Sequence, residues 1–452
     1  MNWNSLAARI DGRLVTPDHP DYDRARGGWN LMYSHRPLAV VEAASAAEVA
    51  EAVRAASTAG ARVAVQATGH GFTTQAEGIL VVTAGIDHVA IDPEAATARV
   101  GAGARWEPVL EQAQQYGLAP LLGSSPGVGA VGYTLGGGFG WLGRRHGLCV
   151  DRVRWFRVVL ADGSLVTASA EENPDLFWAL RGGGHGSLGV VVEMEIELVE
   201  AARVYGGNLL YPIESAPEVF DRYRQWSVDL PEEITSAFTI MNYPPIEDVP
   251  EPVRGRSFAL VRGCHCGDPD EAAALIDEWR RWRQPAVDMF GPMPFGAVAD
   301  ISQDPIDPVP AMSSARWLGG LDQEVGEAII EAAAAVDGFS PVIIAETRHA
   351  GGAIARPPAD TAYSIRQADR LLQIVALTPT PESVADTHAR LERLWRRLGD
   401  RVVAPYLNFL EGEERREAGR STFDPATWQR LAAIKAKVDP DGVFGDGLAI
   451  GA

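Results

Sequence analysis

The alternation of hydrophobic and polar residues predicts helices and strands in no fixed order. Hydrophobic residues recur at helical spacing over 45–60, where Ser45 and Glu48 form a capping box and Gly60 suits the helix end. A two-residue period over 190–198 predicts a strand with one apolar and one acidic face. The chain therefore contains both kinds of element from its first half onward.

A Gly-rich segment precedes a predicted β-hairpin. Gly138, Gly140 and Gly143 spell G-x-G-x-x-G, and Asp162 follows about twenty residues later, as in a dinucleotide-binding fingerprint. That fingerprint requires a buried strand before the glycines and a helix after them. Residues 122–135 are Gly-rich instead, and the Asp-Gly step joins two alternating strands as a hairpin turn. We expect these glycines to bring bare backbone close to a ligand outside a Rossmann fold.

The segment 201–404 differs in character from the residues before it. Strands such as 257–263 alternate with helices such as 268–284, without a regular strand–helix–strand rhythm. This pattern predicts an antiparallel sheet with helices on one face. A chain of 452 residues, of which 46% are hydrophobic, is long enough for more than one core.

Composition excludes several classes of partner. The chain has 60 acidic and 40 basic residues and a net charge of −20, which disfavours nucleic acid and anionic membranes. No apolar run has membrane length, and the first residues lack an apolar signal core, so the expectation is a cytoplasmic protein. Cys264, His265 and Cys266 are consecutive on a predicted strand and point to opposite faces, so no metal site is expected.

Six motifs occur in an order and spacing typical of one flavoprotein family. They are VAVQATGHGFTTQAEGILVVTAGI, GSSPGVGAVGYTLGGGFGWLGRRHGLCVDRV, NPDLFWALRGGGHGSLGVVVEMEIEL, HAGGAIARPPADTAYSIR, YLNF and KVDPDGVF. With these motifs the chain resembles the berberine-bridge-enzyme-like branch of the vanillyl-alcohol-oxidase / p-cresol methylhydroxylase superfamily. The resemblance covers nearly the whole chain and is weakest over 201–340.

The resemblance implies an α+β fold that binds FAD. Residues 1–200 would form a two-subdomain FAD-binding domain, 201–404 a substrate domain with an antiparallel sheet covered by helices, and 405–452 a return to the FAD-binding domain. It also implies an oxidase that moves a hydride from a C–H bond next to oxygen or nitrogen to flavin N5, and then to O₂ to give H₂O₂. The partners would be a small-molecule substrate and O₂.

The first motif supplies the sharpest expectation about the cofactor. Successive N–H groups between Gln66 and Gly71 can form an anion nest, and the family bonds the histidine at the position of His70 to the flavin 8α-methyl. Ser125 stands where some members place a cysteine for a second bond, so one covalent link is expected. The cofactor-binding residues that the resemblance implies are Gln66, Ala67, Thr68, Gly69, His70, Gly71, Ser125, Gly129, Gly132, Tyr133, Thr134, Gly137, Gly138, Gly140, Gly189, Val190, Val191, Tyr406 and Asn408.

The sequence also departs from the family pattern in three places. Many relatives have Arg-Gly-Gly-Gly-His where residues 66–70 read Gln-Ala-Thr-Gly-His, and His185 replaces a glycine. The segment 443–450 lacks the usual asparagines. These changes bear on local flavin contacts and leave the fold expectation intact.

Three residues are candidates for the catalytic base. Tyr406 and Asn408, two apart on a predicted strand, point to the same face. Glu346 alternates with Arg348 in another strand, and Tyr133 lies in the second Gly-rich motif. A tyrosine or glutamate acts as base only where its environment tunes its pKa. The order of preference is Tyr406, Glu346 and Tyr133.

Other functions stay open at this point. An FAD dehydrogenase would use an acceptor other than O₂, and a flavin-binding protein without turnover would let no reductant reach the flavin. A nicotinamide-binding enzyme would bind NAD(P)H and no flavin. The substrate is expected to be a small secondary metabolite or a carbohydrate alcohol.

Overall fold

The computed structural model describes residues 3–71, 74–335 and 338–450. Phe72 and Thr73 of the first Gly-rich motif thus lie outside the described residues. Helices and sheets mix throughout, and the predicted α+β class is confirmed. The α-helices are Trp3–Ala7, Tyr22–Ala25, Ala46–Thr58, Trp106–Gln114, Ala130–Leu135, Gly143–His146, Pro174–Gly183, Ala216–Trp226, Pro269–Trp282, Ala299–Ser302, Gln323–Ala333, Pro381–Leu398, Gly412–Ala418 and Pro425–Val438.

Two smaller sheets are built mainly from the first 200 residues. In spatial order the four-stranded sheet comprises Arg13–Val15, Ala39–Glu42, Ile79–Val82 and Val63–Gln66, with the last three parallel to one another. The five-stranded sheet is antiparallel and comprises Val89–Asp92, Thr97–Gly101, Val190–Glu197, Val153–Val159 and Leu165–Ser169. A further short pair joins Leu118–Ala119 to Val199–Glu200.

A nine-stranded antiparallel sheet occupies the second half of the chain. Its main path runs in spatial order through Val287–Asp288, Arg203–Pro212, Ser257–His265, Ile234–Asn242, Val342–His349, Arg370–Leu377, Ala311–Leu318 and Val402–Pro405. Gly291–Pro294 pairs with Arg203–Pro212 beside this path.

The large sheet has two different faces because side chains alternate along each strand. Leu372, Ile374 and Ala376 pack in a core cluster with apolar residues of the helices Ala216–Trp226 and Pro381–Leu398. The intervening residues point to the opposite face, which lines the cavity described below. One sheet therefore supplies both the core of the segment and the wall of a site.

Local sequence signals account for the main elements. Ser45 caps the helix Ala46–Thr58 by accepting a hydrogen bond from the Glu48 N–H, as predicted. The predicted hairpin is confirmed, with Val153–Val159 and Leu165–Ser169 paired on either side of Asp162. Among the described residues, none of the helices is both long and apolar enough to span a membrane.

One predicted strand is only partly formed. The sequence PYLNFL was expected to be extended, but the strand ends at Pro405 and a 3₁₀ turn follows over Leu407–Phe409. Proline has no N–H to donate to the sheet, and the Phe409 N–H instead bonds the Tyr406 carbonyl at 3.0 Å. The expectation that Tyr406 and Asn408 share a strand face is therefore wrong in its geometry.

Candidate active site

A large cavity lies between the Gly-rich segments and the inner face of the large sheet. Fifteen of the predicted cofactor residues line it, namely Gln66, Ala67, Thr68, Gly69, His70, Gly71, Ser125, Gly129, Gly132, Tyr133, Gly189, Val190, Val191, Tyr406 and Asn408. Residues far apart in the chain thus meet in one place, as the motifs predict.

The first loop turns tightly and presents His70 to the cavity. Gly69 has a φ of +71°, which favours glycine. The Trp29 N–H donates to the Thr68 carbonyl at 2.9 Å, and the Trp29 ring stacks on His70 with centroids 4.4 Å apart. Thr68 Oγ1 lies 2.9 Å from His70 Nδ1. Burial and the charge of Arg105 lower the pKa of His70 to about 4, so the imidazole is neutral at pH 7.

The second Gly-rich motif serves packing as well as the cavity. Gly123, Gly138 and Gly140 surround the Tyr133 ring, and a Cβ on Gly138 would lie 2.5 Å from that ring. Gly137, with a φ of +110°, packs against Tyr363 in the same way. Gly137 and Gly138 make room for tyrosine rings, and Gly140 makes room for the Leu122 carbonyl. None of the three is among the described residues that line the cavity, and the expectation that they contact the cofactor stays a prediction.

Thr134 lies behind the cavity wall. Its hydroxyl donates to the Ala130 carbonyl at 2.8 Å and lies 3.3 Å from Cys149 Sγ. Burial, opposed by the Thr134 hydrogen bond, raises the pKa of Cys149 to about 12. Cys149 is not among the described residues that line the cavity, whereas Ser125 is.

Several donors converge on the Tyr406 oxygen in the cavity wall. The Phe139 N–H donates to Tyr406 Oη at 3.1 Å, and Asn408 Nδ2 donates to it at 3.0 Å. Burial raises the pKa of Tyr406 to about 12, while these two donors, the charge of Arg348 and the Gly138 N–H act in the opposite direction. Such a set of donors stabilises the oxygen most strongly when it is ionised.

Tyr133 has a different environment. Its hydroxyl is buried and has no hydrogen-bond partner among the described residues. Burial raises its pKa well above the ordinary value, and the nearby Tyr406 raises it further. A phenolate at Tyr133 would have no donor to stabilise it, unlike one at Tyr406.

Glu346 is already engaged by two arginines. Its carboxylate accepts from Arg348 Nη2 at 2.7 Å and from Arg262 Nη1 at 3.2 Å, and Thr239 donates to it at 3.1 Å. Burial would raise the pKa of Glu346, but the charges of Arg348 and Arg262 outweigh it and lower the pKa. Glu346 is not among the described residues that line the cavity, whereas Arg348 is. The carboxylate therefore orients a cavity arginine.

The sheet side of the cavity is mainly apolar. Polar groups interrupt it at a few points, among them Asp304, Ser313, Arg348 and Gln373. Its apolar residues are Pro305, Val309, Ala311, Ile343, Ile344, Val375 and Leu377.

Two ionisable residues of the cavity, both near the end of the chain, were not predicted from the sequence. Glu411 and Arg415 line the cavity, but they lie in the charged segment LEGEERREAG, which is typical of an exposed helix. Burial raises the pKa of Glu411 to about 7, and burial lowers that of Arg415 to about 10. The signal that could have connected them to the site is the four-residue spacing between Glu411 and Arg415, which begins two residues after the YLNF motif.

Comparison with known proteins decides the class. Residues 37–169 match the sequence profile of the FAD binding domain family. The chain is 27% identical over 455 aligned positions to (R)-6-hydroxynicotine oxidase of Paenarthrobacter nicotinovorans, covering 96% of this chain and 95% of that protein. The protein is an FAD-linked oxidoreductase.

The fold of this FAD-linked oxidoreductase agrees with the one that the sequence resemblance implies. It superposes on Physcomitrella patens BBE-like 1 with a TM-score of 0.84 at 22% identity, covering 98% of both chains. It superposes on xylooligosaccharide oxidase from Myceliophthora thermophila with a TM-score of 0.84 at 21% identity, covering 100% of this chain and 99% of that one. The berberine-bridge-enzyme-like fold is thereby confirmed.

The cavity of the oxidoreductase has the features that FAD requires. At Gly71 and Gly132 a Cβ would meet no atom within 4 Å, so bare backbone faces open space. Buried polar atoms of cavity-lining residues lack partners among the described residues, including Tyr133 Oη and Arg415 Nη2. A dinucleotide with ring nitrogens, carbonyls and phosphates offers acceptors and donors for such atoms. Residues 66–71, 123–133, 185–191 and 406–415 would hold it.

Proposed function

We propose that this protein is an oxidase for a small apolar amine or alcohol, with FAD linked through His70 and Tyr406 as the base. FAD, when bound, accepts a hydride from the substrate C–H bond and passes the electrons to O₂, giving H₂O₂. The observation that carries the proposal is the Tyr406 oxygen, which accepts two hydrogen bonds and lies near an arginine, so that its surroundings stabilise a negative charge.

Tyr406 is favoured over the two other candidate bases by its surroundings. Its oxygen accepts from the Phe139 N–H and from Asn408, whereas Tyr133 Oη has no such donor. The Glu346 carboxylate forms salt bridges with two arginines, and their charges lower its pKa, so it is a weak proton acceptor. In this proposal Tyr406 Oη takes the proton from the substrate hydroxyl or ammonium.

The base assignment has a pH signature. Burial raises the pKa of Tyr406 to about 12, so the phenol is protonated at neutral pH and its ionised fraction increases with pH. Substrate-dependent flavin reduction should therefore accelerate as pH rises above 7 in the native protein. Tyr406→Phe should lose this acceleration and fall by roughly 10²–10⁴-fold. An unchanged rate in Tyr406→Phe would remove Tyr406 from the mechanism.

A covalent bond through His70 is supported by the first loop. The ring is held between Trp29 and Thr68, and its lowered pKa keeps a nitrogen lone pair available at neutral pH. A second bond would need a thiol, and Cys149 lies behind the wall with a raised pKa. Acid precipitation should leave yellow colour in the pellet, with the flavin mass on the peptide that contains His70.

The cavity wall favours an apolar substrate over a carbohydrate. A sugar site needs hydroxyl partners along its length, but Val309, Ile343, Ile344, Val375 and Leu377 form much of the sheet side. A related chain is named (R)-6-hydroxynicotine oxidase, and a nicotine is a cyclic tertiary amine joined to a pyridine ring. A screen for H₂O₂ release should include such amines and aromatic alcohols beside xylo-oligosaccharides, and turnover of the sugars alone would contradict the proposal.

The same screen separates the oxidase from its alternatives. A dehydrogenase would reduce its flavin with substrate but would reoxidise with a dye and not with air. A flavin-binding protein without turnover would keep its colour with every substrate and reductant in the panel.

A further inference from the structure

His185 stands in the cavity wall where relatives of this motif have glycine. It follows the helix Pro174–Gly183 in the sequence RGGGHGSLG. Its Nε2 atom is buried and has no hydrogen-bond partner among the described residues. Burial and the charge of Arg415 lower the pKa of His185 to about 3, against smaller opposite effects of the Gly132 backbone and the Asn408 side chain, so the ring is neutral and carries a single hydrogen.

The Asn408 side chain has only one workable orientation. Asn408 Nδ2 donates to the Tyr133 carbonyl at 3.0 Å and to Tyr406 Oη at 3.0 Å. A carbonyl oxygen only accepts, so the Asn408 amide must keep its nitrogen on this side. Asn408 Oδ1 therefore points away from Tyr406, and it too is buried without a partner among the residues that the structure describes.

The two unpartnered atoms converge on one small space. Both His185 Nε2 and Asn408 Oδ1 lie within 2.5 Å of the point where a side chain on Gly136 would begin. Gly136 makes room for the two atoms, because a Cβ at this position would clash with both. One atom can donate and the other only accepts, so a hydrogen on Nε2 directed at Oδ1 satisfies both.

We propose that His185 is a positioning residue whose Nε2–H donates to Asn408 Oδ1 and so keeps Asn408 Nδ2 turned toward the Tyr406 oxygen. The inference rests on the proposed function, in which Tyr406 is the base. Without the histidine only the bond from Asn408 Nδ2 to the Tyr133 carbonyl fixes the amide, so turning over costs one hydrogen bond instead of two and becomes more frequent. Its oxygen would then accept from the Tyr406 hydroxyl, which favours the protonated phenol over the phenolate.

The other groups around Tyr406 stay in place when His185 is changed. Arg348, Tyr133 and Tyr363 face Tyr406 from separate elements, and Arg415 faces His185. Because none of them bonds Asn408 Oδ1, a change in the pH response of His185 variants reports on the Asn408 amide.

The test compares His185→Leu with His185→Gln in the FAD-loaded protein. Leucine fills the space without a donor, whereas glutamine can again donate to Asn408. Anaerobic flavin reduction in His185→Leu should be roughly tenfold slower at pH 7. The increase of its rate with pH should occur about one pH unit higher than in the native protein, because the Tyr406 phenolate loses one hydrogen bond. His185→Gln should recover most of the native profile. A native pH profile in His185→Leu would overturn the inference.

Combining variants distinguishes this inference from the proposed function. In a Tyr406→Phe background, His185→Leu should have no further effect on the rate of flavin reduction. If His185→Leu slows flavin reduction equally with Tyr406 and with Phe at this position, His185 has a general structural role. If Tyr406→Phe alone reduces flavin at the native rate, the base assignment and the role of His185 both fail. A slow Tyr406→Phe with a native His185→Leu contradicts only the role of His185.

A stability measurement gives a readout independent of turnover. His185→Leu and Asn408→Leu should each lower the urea midpoint, because the first leaves Asn408 Oδ1 unpaired and the second removes the partner of His185 Nε2, of the Tyr133 carbonyl and of Tyr406 Oη. The urea midpoint of the double variant should be no lower than that of the less stable single variant. Additive losses would show that the two side chains do not interact. Where His185→Leu does not fold, His185→Gly, the residue of relatives, replaces it in both experiments.

Discussion

The buried cluster of Arg262, Glu346 and Arg348 should respond to Glu346→Gln with a loss of stability. The Glu346 carboxylate is fully buried, and the exposed fractions of Arg262 and Arg348 are 1% and 3%. The substitution removes the one carboxylate that, among the residues of the described ranges, contacts both guanidinium groups, at 3.2 and 2.7 Å. Removing one partner of a buried ion pair costs about 3–5 kcal/mol, because the remaining charge stays desolvated.

The assay is urea unfolding followed by circular dichroism, with Glu392→Gln as the matched control. Glu392 pairs with Arg396 on the surface, where both side chains are more than two-thirds exposed. Such a pair contributes less than about 1 kcal/mol, so the control should unfold almost as the native protein does. Folded Glu346→Gln should still reduce its flavin with substrate, within about tenfold of the native rate, since a true base would lose 10²–10⁴-fold.

Two results would refute this reasoning. If Glu346→Gln unfolds at the same urea concentration as Glu392→Gln, the buried cluster does not contribute as its geometry indicates. If Glu346→Gln keeps native stability but loses more than about a hundredfold in flavin reduction, Glu346 is the base and Tyr406 is not.

Three further outcomes are expected. His70→Ala should release FAD into the supernatant on acid precipitation while the protein stays folded; retained colour would contradict the single bond. Gly69→Ala should lower the FAD content, because φ is +71° and the new Cβ would lie 2.5 Å from Gly28 Cα, whereas Gly60→Ala, with φ of +64° and open space, should retain FAD. Glu411 has a pKa raised to about 7 by burial, so the folded state holds its proton more tightly and stability should fall by up to about 3 kcal/mol between pH 4.5 and 7. Glu411→Gln should flatten this dependence in urea titrations, and an unchanged slope would show that Glu411 does not titrate in this range.

The sequence was informative where short motifs impose backbone geometry. The strand before Gly69 and His70, and the Asp162 turn, could be predicted because glycine, proline and aspartate act locally. The antiparallel sheet of the second half followed from strands and helices without a strict alternation. The family resemblance, and not these local features, implied that His70 and Ser125 face one cofactor, and both residues line the cavity.

Other parts of the site depend on contacts that no local pattern records. Gly123 and Gly138 leave space for the Tyr133 ring, a role visible only when the fold brings them together. Glu411 and Arg415 lie in a charged segment that has the composition of a solvated helix, yet both are buried. Spacing alone predicted that Tyr406 and Asn408 meet on a strand; a 3₁₀ turn brings them together instead, with Asn408 Nδ2 3.0 Å from Tyr406 Oη.

Anaerobic titration of the purified protein tests the central claim most directly. The protein should be yellow, and the first amine or alcohol that releases H₂O₂ in the screen should bleach it without O₂. Admission of air should restore the colour and release about one H₂O₂ per flavin, the balance of a two-electron oxidation. A colourless protein that cannot take up FAD would contradict the account, and so would a substrate-reduced flavin that air does not reoxidise.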